Sequence, residues 1–156
     1  MTKYNYATAA GTFDYFHKGH AHFLRDAFSL ADTIYIAITS DEFAKSSRQI
    51  SNIHPFHIRK RAVEDFLLEN NLTKRAKIIE IHDIYGPTLE PSCPIQAIVV
   101  TTKTRYGADL INKLRQQKGL PALAILEVTL LKASDGNDLS SSRIRAHEID
   151  MEGNIL

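Results

Sequence analysis

The stretch YNYATAAGTFDYFHKGH, residues 4–20, is the most informative about the architecture because it joins two kinds of secondary structure through one short loop. Residues 4–10 alternate in character, which predicts a β-strand. From residue 18 to residue 30 the apolar side chains return at helical spacing, which predicts an α-helix. Two glycines and two histidines lie near the junction, so the stretch predicts a strand–loop–helix unit with polar chemistry at its turn.

The same alternation of strand and helix runs through the remainder of the chain. Further strands are predicted at 32–40, 76–82, 96–102 and 123–131. Helices are predicted at 41–45, at 55–70, around 110–114 and from the serine run at 140–149. Strands that alternate with helices need crossover connections, which favour a parallel sheet. We therefore expect an α/β fold, a Rossmann-like doubly wound sheet of about five parallel strands with helices on both faces.

Length and composition limit the classes of function. A chain of 156 residues, 44% of them hydrophobic, is enough for one domain over residues 1–156 with its own core. Nineteen basic and eighteen acidic residues give a formal charge of +1, which disfavours a nucleic-acid binder but permits a local basic pocket. Cys93 is the only cysteine, and no run approaches the ~20 apolar residues of a membrane span. We expect a cytoplasmic protein with no nucleic-acid or membrane partner.

The loop after the first predicted strand carries groups that suit a phosphate. Gly11 and Gly19 lack a Cβ atom, so a ligand can come close to the backbone at the strand end and at the first helical turn. Free N–H groups at a helix start favour anions, and Thr12 adds a hydroxyl. His17 and His20 are three residues apart and fall on one side of the helix, where their rings can donate to phosphate oxygens.

Two other interpretations compete with phosphate binding. A zinc site needs three or four ligands, and only Asp14 or His22 lies near the histidine pair. Packing explains Phe13 but not two polar rings beside a glycine, so a phosphate-binding loop is favoured. The other histidines of interest are expected to be solvated helix residues, namely His22, His54, His57 and His147.

A second run, LSSSRIR at residues 139–145, combines hydroxyls with arginine. Its serines supply hydroxyl and N–H groups at a predicted helix start, although such a run alone also fits a capped surface helix. Arg143 presents a planar fork that fits phosphate oxygens, and Arg145 is the alternative. In an open parallel sheet, ligands bind beyond the carboxyl ends of the strands, so we expect both motif loops at that edge.

The two motifs together resemble the GTFD…HxGH and Ser/Thr-rich signatures of the nucleotidyltransferase superfamily. The segments DIYGPTLE (83–90) and LKASDGNDLSSSRIRAHEIDMEG (131–153) further resemble the archaeal and eukaryotic type of phosphopantetheine adenylyltransferase, a similarity that runs over residues 6–154. It implies transfer of AMP from ATP to 4′-phosphopantetheine, giving dephospho-coenzyme A and pyrophosphate. Mg²⁺ would be bound with ATP, with no dedicated set of protein ligands. The oligomeric state is left open.

The resemblance also implies roles for particular residues. His20 would contact the α-phosphate, His17 would bind the triphosphate, and Lys45 would bridge the two reacting phosphates. The residues with catalytic roles would be His20, His17, Lys45 and Arg143. The residues that bind ATP would be Gly11, Thr12, Phe13, Gly19, Ser140, Ser141, Ser142 and Arg143. The residues that bind the substrate would be Thr12, Lys45, Tyr85, Gly86, Pro87, Thr88 and Lys103.

The chain departs from the family pattern at two places. Ala10 precedes Gly11 where archaeal members commonly have a second glycine, and TTKT at 101–104 replaces the usual Ser-x-Glu-Thr. Lys103 or Arg105 is therefore a candidate for contact with the triphosphate. One rival function is an adenylyltransferase that uses a flavin or nicotinamide mononucleotide. Another is a non-catalytic nucleotide-binding regulatory module, which the intact motif histidines disfavour.

Overall fold

The computed structural model describes residues 2–48 and 52–156 and contains a five-stranded sheet. The strands are β1 (Tyr4–Gly11), β2 (Ala31–Thr39), β3 (Ala76–Ile81), β4 (Ala97–Val100) and β5 (Ala124–Glu127). They lie in the order β3-β2-β1-β4-β5, and every neighbouring pair is parallel. The predicted Rossmann-like parallel sheet is therefore confirmed.

Helices cover both faces of this sheet, as predicted. Within the described residues they are α1 (Lys18–Leu30), α2 (Asp41–Arg48), α3 (Phe56–Glu69), α4 (Arg105–Gln117) and α5 (Ser141–Arg145). Leu24 of α1 and Val63 of α3 pack in one core with Ile36 of β2. Ile111 of α4 packs against Ile98 of β4 in a second core, on the opposite face. None of the helices in the described part of the chain is long and apolar enough to cross a membrane.

Three predicted elements are clearly shorter in the structure. The strand predicted at 96–102 covers only Ala97–Val100. The strand predicted at 123–131 ends at Glu127, because residues 128–131 leave the sheet and line a cavity. The helix predicted at 140–149 covers only Ser141–Arg145. His147 takes φ +60, a left-handed conformation that does not continue a helix, so the prediction that it is a helix residue is wrong.

The strand order places a crevice at the carboxyl ends of β1 and β4. The chain leaves β1 through α1 toward β2 on one side, whereas β4 pairs with β1 on the other side. Ligands of open parallel sheets bind where the strand order reverses in this way. The loops that follow β1 and β4 therefore border the same crevice.

One buried arginine, Arg59, forms hydrogen bonds to several segments at this edge of the sheet. Arg59 of α3 is 1% exposed, and its Nη1 donates to the carbonyl oxygens of Thr12 and Thr39, both at 2.9 Å. Its Nε donates to the His54 carbonyl at 2.8 Å, and its Nη2 contacts Asp41 Oδ1 at 2.8 Å. A single side chain thus holds the ends of β1 and β2, the start of α2 and the segment before α3.

We expect Arg59→Met to lower the free energy of unfolding by about 3 kcal/mol or more, because three carbonyl oxygens and a carboxylate lose a buried donor. The control is Arg61→Met, which removes a 77% exposed guanidinium of the same helix that pairs with Asp65. Its expected effect is within about 0.5 kcal/mol. Urea denaturation followed by circular dichroism measures both variants, and equal losses would contradict the role given to Arg59.

Candidate active site

A cavity of about 240 Å³ opens at the crevice between β1 and β4. Its wall includes the loop after β1, the first turn of α1, the loop after β4, residues 128–131 and residues 140–142. Ser141 Oγ donates to the Asp14 carbonyl at 2.6 Å and so joins the second motif directly to the first. Two motifs that are far apart in the chain therefore meet at one site.

The structure brings many of the predicted site residues to this wall, but not all of them. Those that line the cavity are Gly11, Thr12, Phe13, His17, Gly19, His20, Lys103, Ser140, Ser141 and Ser142. Those that lie elsewhere are Lys45, Arg143, Tyr85, Gly86, Pro87 and Thr88. Lys45 is an exposed residue of α2.

The loop that carries Tyr85 is folded against the core beneath α4. The Tyr85 ring packs there, and Thr88 is buried with its hydroxyl donating to the Tyr85 carbonyl at 2.5 Å. Gly86 takes φ +50, and a Cβ on it would lie 2.9 Å from Ile81 Cγ2. Arg115 of α4 donates to the Thr88 carbonyl. These contacts give the loop a fixed turn, and its role beside the acceptor stays a prediction.

The His17 side chain caps the start of α1. It is 7% exposed, and its Nδ1 accepts the backbone N–H groups of Gly19 at 3.0 Å and His20 at 3.3 Å. Burial lowers the pKa of His17 to about 4, because a charged ring would lose its hydration. A ring nitrogen that accepts N–H bonds carries no proton, so the neutral ring holds its proton on Nε2. His17 is thus fixed as a donor through Nε2.

This cap differs from the phosphate cradle that the sequence predicts at the helix start. The N–H groups of Gly19 and His20 bond to His17, and that of Lys18 donates to the Met151 carbonyl at 3.0 Å. The first three N–H groups of α1 therefore have partners within the chain, and an imidazole and a carbonyl stand where an anion was expected. A phosphate placed in the cavity would therefore meet side-chain donors rather than the free N–H groups of this helix start.

The two glycines of the first motif make room for rings. A Cβ on Gly19 would lie 2.8 Å from Cε1 and 2.9 Å from Nδ1 of His17, so the cap depends on glycine. A Cβ on Gly11 would lie 3.0 Å from the ring of Phe13, whose backbone takes φ +54. The rings of His17 and Phe13 therefore occupy the space beside these glycines where the sequence predicts a ligand.

The His20 ring lies among aromatic neighbours. It stacks on His17 with ring centroids 3.7 Å apart, and lies 5.2 Å from Phe13 and 5.4 Å from Phe16. Its Nδ1 accepts the backbone N–H of His17 at 3.2 Å, which completes a reciprocal capping box. The neutral ring therefore also carries its proton on Nε2. Both motif histidines meet the cavity with the same tautomer.

The two arginines of the second motif have different partners. Arg143 forms a fork on the Asp135 carboxylate and donates to the Asp138 carbonyl at 3.0 Å. Arg145 lines the cavity and bonds to the carboxylate of Asp14. Of the two, Arg145 lines the cavity and Arg143 does not, whereas the sequence favoured Arg143 as the residue that faces the ligand.

Asp14 is a central residue of the site that the sequence indicated only as a possible metal ligand. It is 2% exposed, and its Oδ1 lies 2.7 Å from Nδ1 of His54. The prediction that His54 is a solvated helix residue is wrong, because it precedes α3 and its ring bonds to this carboxylate. A buried aspartate needs such partners, but the sequence did not show which segments would supply them.

Two lysines share one carboxylate at the rim of the cavity. Asp138 bonds to Lys132 at 2.6 Å and pairs with Lys103, which lines the cavity, at 3.3 Å. Hydrogen bonds from Lys132 and then from Lys103 lower the pKa of Asp138. This group of three carries one excess positive charge, which favours an anionic ligand at the rim.

A cavity at a strand-order reversal, walled by neutral imidazole donors, hydroxyls and a guanidinium, has the donors that an α/β nucleotidyltransferase needs to hold a triphosphate. The model of the family described as Cytidylyltransferase-like matches residues 8–147. The chain is also 38% identical over 156 residues to the phosphopantetheine adenylyltransferase of Pyrococcus abyssi, covering 100% of this chain and 98% of that one. The chain therefore belongs to the cytidylyltransferase-like family and, within it, to the phosphopantetheine adenylyltransferases.

A second curated relative agrees with this assignment, and a solved structure agrees with the fold. The phosphopantetheine adenylyltransferase of Methanothermobacter thermautotrophicus is 36% identical over 154 residues, which cover 99% of this chain and 91% of that protein. A solved structure of a protein of unknown function from Archaeoglobus fulgidus matches with a TM-score of 0.71 at 29% identity, covering 80% of this chain and 88% of that one. The resemblance seen in the sequence motifs is confirmed.

We expect Gly19→Ala to lower the free energy of unfolding by about 1 kcal/mol, the usual cost of a lost cap, because the new Cβ displaces the His17 ring. The control is Gly107→Ala near the start of α4, where a Cβ meets no atom within 4 Å. There alanine is expected to stabilise the helix by about 0.5 kcal/mol. Urea denaturation distinguishes the two variants, and a gain in stability from Gly19→Ala would disprove the packing role of this glycine.

The low pKa of His17 predicts a loss of stability in mild acid. In the unfolded chain the ring takes up a proton near the ordinary histidine pKa of 6.5, whereas in the folded chain it does so only near 4. The neutral His17 ring therefore makes its full contribution to the free energy of unfolding above about pH 6.5, and this contribution is lost as the pH falls toward 4. His17→Asn keeps a good capping residue without a titrating ring. We expect this variant to lose less stability than the wild type between pH 7 and pH 4.5, by on the order of 2 kcal/mol.

The control for this comparison is His57→Asn, which removes an exposed histidine of α3 and leaves the cap of α1 unchanged. Urea denaturation at both pH values gives the free energies. If His17→Asn shows the same acid sensitivity as the wild type, the ring does not stay neutral as described.

Proposed function

We propose that the chain transfers the adenylyl group of ATP to 4′-phosphopantetheine, giving dephospho-coenzyme A and pyrophosphate in coenzyme A biosynthesis. The observation that carries the proposal is the 36–38% identity, over almost the whole chain, to relatives named phosphopantetheine adenylyltransferase. The cavity supports it, since both motif histidines and the serine run face one space. We place the reaction in the cytoplasm, where the single thiol stays reduced.

The proposed reaction is an in-line displacement without a covalent enzyme intermediate. An oxygen of the acceptor phosphate bonds to the α-phosphorus of ATP, while the bond from that phosphorus to the oxygen bridging to the β-phosphorus breaks. Pyrophosphate leaves with the electron pair of the broken bond. Catalysis of this kind depends on positioning and on stabilisation of charge.

The neutral histidines supply donors for this charge. We assign Nε2–H of His20 to the α-phosphate and Nε2–H of His17 to the triphosphate. The β- and γ-phosphates are assigned to Ser141, Ser142 and Arg145. Arg145 takes the role first given to Arg143, because it lines the cavity.

Other residues keep their predicted roles with weaker structural support. Lys103 is assigned to the triphosphate because it lines the cavity. Lys45 is exposed on α2 and does not line the cavity, so its assignment to the reacting phosphates rests on the family resemblance. The residues assigned to the border of the acceptor are Tyr85, Gly86, Pro87 and Thr88.

We assign Mg²⁺ to the phosphates of ATP rather than to the protein. Among residues 2–48 and 52–156, no group of three or more His, Cys, Asp or Glu side chains could hold a metal ion. Mg²⁺ commonly keeps several waters and binds substrate phosphates directly. Bound with ATP, the ion would neutralise part of the phosphate charge, and the side chains of the cavity would bind the remaining oxygens.

The test is pyrophosphate release from ATP and Mg²⁺ with a panel of acceptors. The panel contains 4′-phosphopantetheine, flavin mononucleotide and nicotinamide mononucleotide. We expect turnover with 4′-phosphopantetheine. Turnover with a mononucleotide alone would favour the rival adenylyltransferase, and none with any acceptor would favour a non-catalytic nucleotide-binding module.

The catalytic assignment has its own control in this assay. His20→Ala is expected to lower kcat by ~10²-fold or more, the scale for removing one charge-stabilising donor. His57→Ala removes an exposed histidine of α3 and is expected to leave kcat unchanged. Turnover at the wild-type rate in folded His20→Ala would refute the assignment.

A further inference from the structure

Three segments of the chain meet at the buried carboxylate of Asp14. Its Oδ1 accepts from Nδ1 of His54 at 2.7 Å and from the His54 backbone N–H at 3.3 Å. Its Oδ2 accepts from Nη2 of Arg145. The two oxygens thus serve different partners, one from the segment before α3 and one from α5.

Tyr15 forms a second link between the same two partners. Its backbone takes φ +48, an unusual conformation for a residue with a side chain. The ring lies edge-on to His54 with centroids 4.6 Å apart, and the guanidinium of Arg145 lies 5.5 Å from its centroid. His54 and Arg145 are therefore held relative to one another through both a carboxylate and a ring.

In this arrangement Arg145 forms fewer hydrogen bonds to the Asp14 carboxylate than an arginine commonly forms to a carboxylate. A guanidinium beside a carboxylate commonly forms two parallel bonds, one to each oxygen. Here His54 occupies Oδ1, and Arg145 bonds to Oδ2. The Nε of Arg145 is buried and has no hydrogen-bond partner among the described residues. Asp14 therefore satisfies only part of the hydrogen-bonding capacity of the Arg145 guanidinium. The Arg145 side chain also lines the cavity.

We propose that His54 is a positioning residue for the adenylyl transfer. By occupying Oδ1 of Asp14, its imidazole prevents Arg145 from closing a two-bond pair with that carboxylate. The guanidinium then stays turned toward the cavity, where it binds a phosphate of ATP. This role rests on the proposed function, and His54 itself does not contact the substrate.

Two substitutions of His54 distinguish the effect of its hydrogen bond to Asp14 from the effect of its packing against Tyr15. His54→Phe keeps a ring against Tyr15 and the backbone N–H bond to Oδ1, but it removes the imidazole donor to that oxygen. His54→Asn places an amide N–H close to the position of Nδ1. We expect the Kd of Mg²⁺-ATP, measured by isothermal titration calorimetry, to rise about fivefold to tenfold in His54→Phe. In His54→Asn it should stay within about twofold of the wild type.

A double-mutant cycle tests whether the effect passes through Arg145. Arg145→Gln alone is expected to raise the Kd of Mg²⁺-ATP by about tenfold or more. Adding His54→Phe to Arg145→Gln should change the Kd no further, because the residue through which His54 acts is gone. A purely structural role predicts additive effects, and additivity would overturn the proposal.

Two controls separate positioning from a general loss of structure. His57→Phe alters an exposed histidine of the neighbouring helix and should leave the Kd unchanged. In the turnover assay, His54→Phe should raise the KM for ATP by the factor seen in the Kd while kcat stays within about twofold. An equal loss of ATP affinity in His54→Asn and His54→Phe would contradict a role for the bond to Oδ1.

The binding measurement needs no acceptor, so the two proposals can fail separately. If the Kd values follow the expected pattern but no acceptor is adenylylated, the proposed function fails and the positioning of Arg145 stands. If the wild type adenylylates 4′-phosphopantetheine while His54→Phe binds ATP normally, the function stands and the role of His54 is wrong. If the wild type binds no ATP, both are wrong.

Discussion

The guanidinium of Arg59 lies where β1 and β2 end, and it bonds to a backbone carbonyl from each strand end. Chains that leave a sheet carry carbonyl groups without ladder partners, and burying these groups unpaired costs free energy. One planar cation satisfies several of them because its N–H groups diverge in a single plane. Asp41 balances its charge at 2.8 Å. The edge at which the cavity opens is therefore fixed by protein contacts alone.

The loop after β1 begins at Thr12, which Arg59 holds, and it takes an unusual path from there. Phe13 and Tyr15 adopt φ +54 and +48, values that are unfavourable for residues with a side chain. The second motif stabilises this path, since Ser141 donates to the Asp14 carbonyl and Arg145 bonds to the Asp14 carboxylate. The conformation of the first motif thus depends on residues near the other end of the chain.

This dependence explains how much the sequence could predict. The helix at 18–30 has the predicted bounds, because apolar spacing is a local signal and the helix start is capped by neighbours in the motif. The parallel pairing of the strands follows from the alternation of strands and helices. The shortening of β5 was not predictable from its apolar run, because residues 128–131 suit a sheet and a cavity wall equally well.

The partners of the two arginines show the same limit within the site. Arg143 and Arg145 have the same chemistry and are two residues apart, yet one bonds to Asp135, eight residues away, and the other to Asp14, 131 residues away. Only the folded chain decides which carboxylate each guanidinium reaches. The orientation of the His17 ring is likewise a matter of burial and backbone geometry, which the motif alone does not contain.

The pairing of cations at the cavity bears on how a triphosphate enters and leaves in the proposed reaction. Arg145 is paired with Asp14 and Lys103 with Asp138, so a phosphate at either cation would share it with a carboxylate. Each carboxylate also has a second partner, His54 for Asp14 and Lys132 for Asp138. A cation that shifts toward a phosphate therefore does not leave its carboxylate unpaired, and this matters most for the buried Asp14. The same exchange in reverse restores the paired site as pyrophosphate departs, so binding and release draw on one set of contacts.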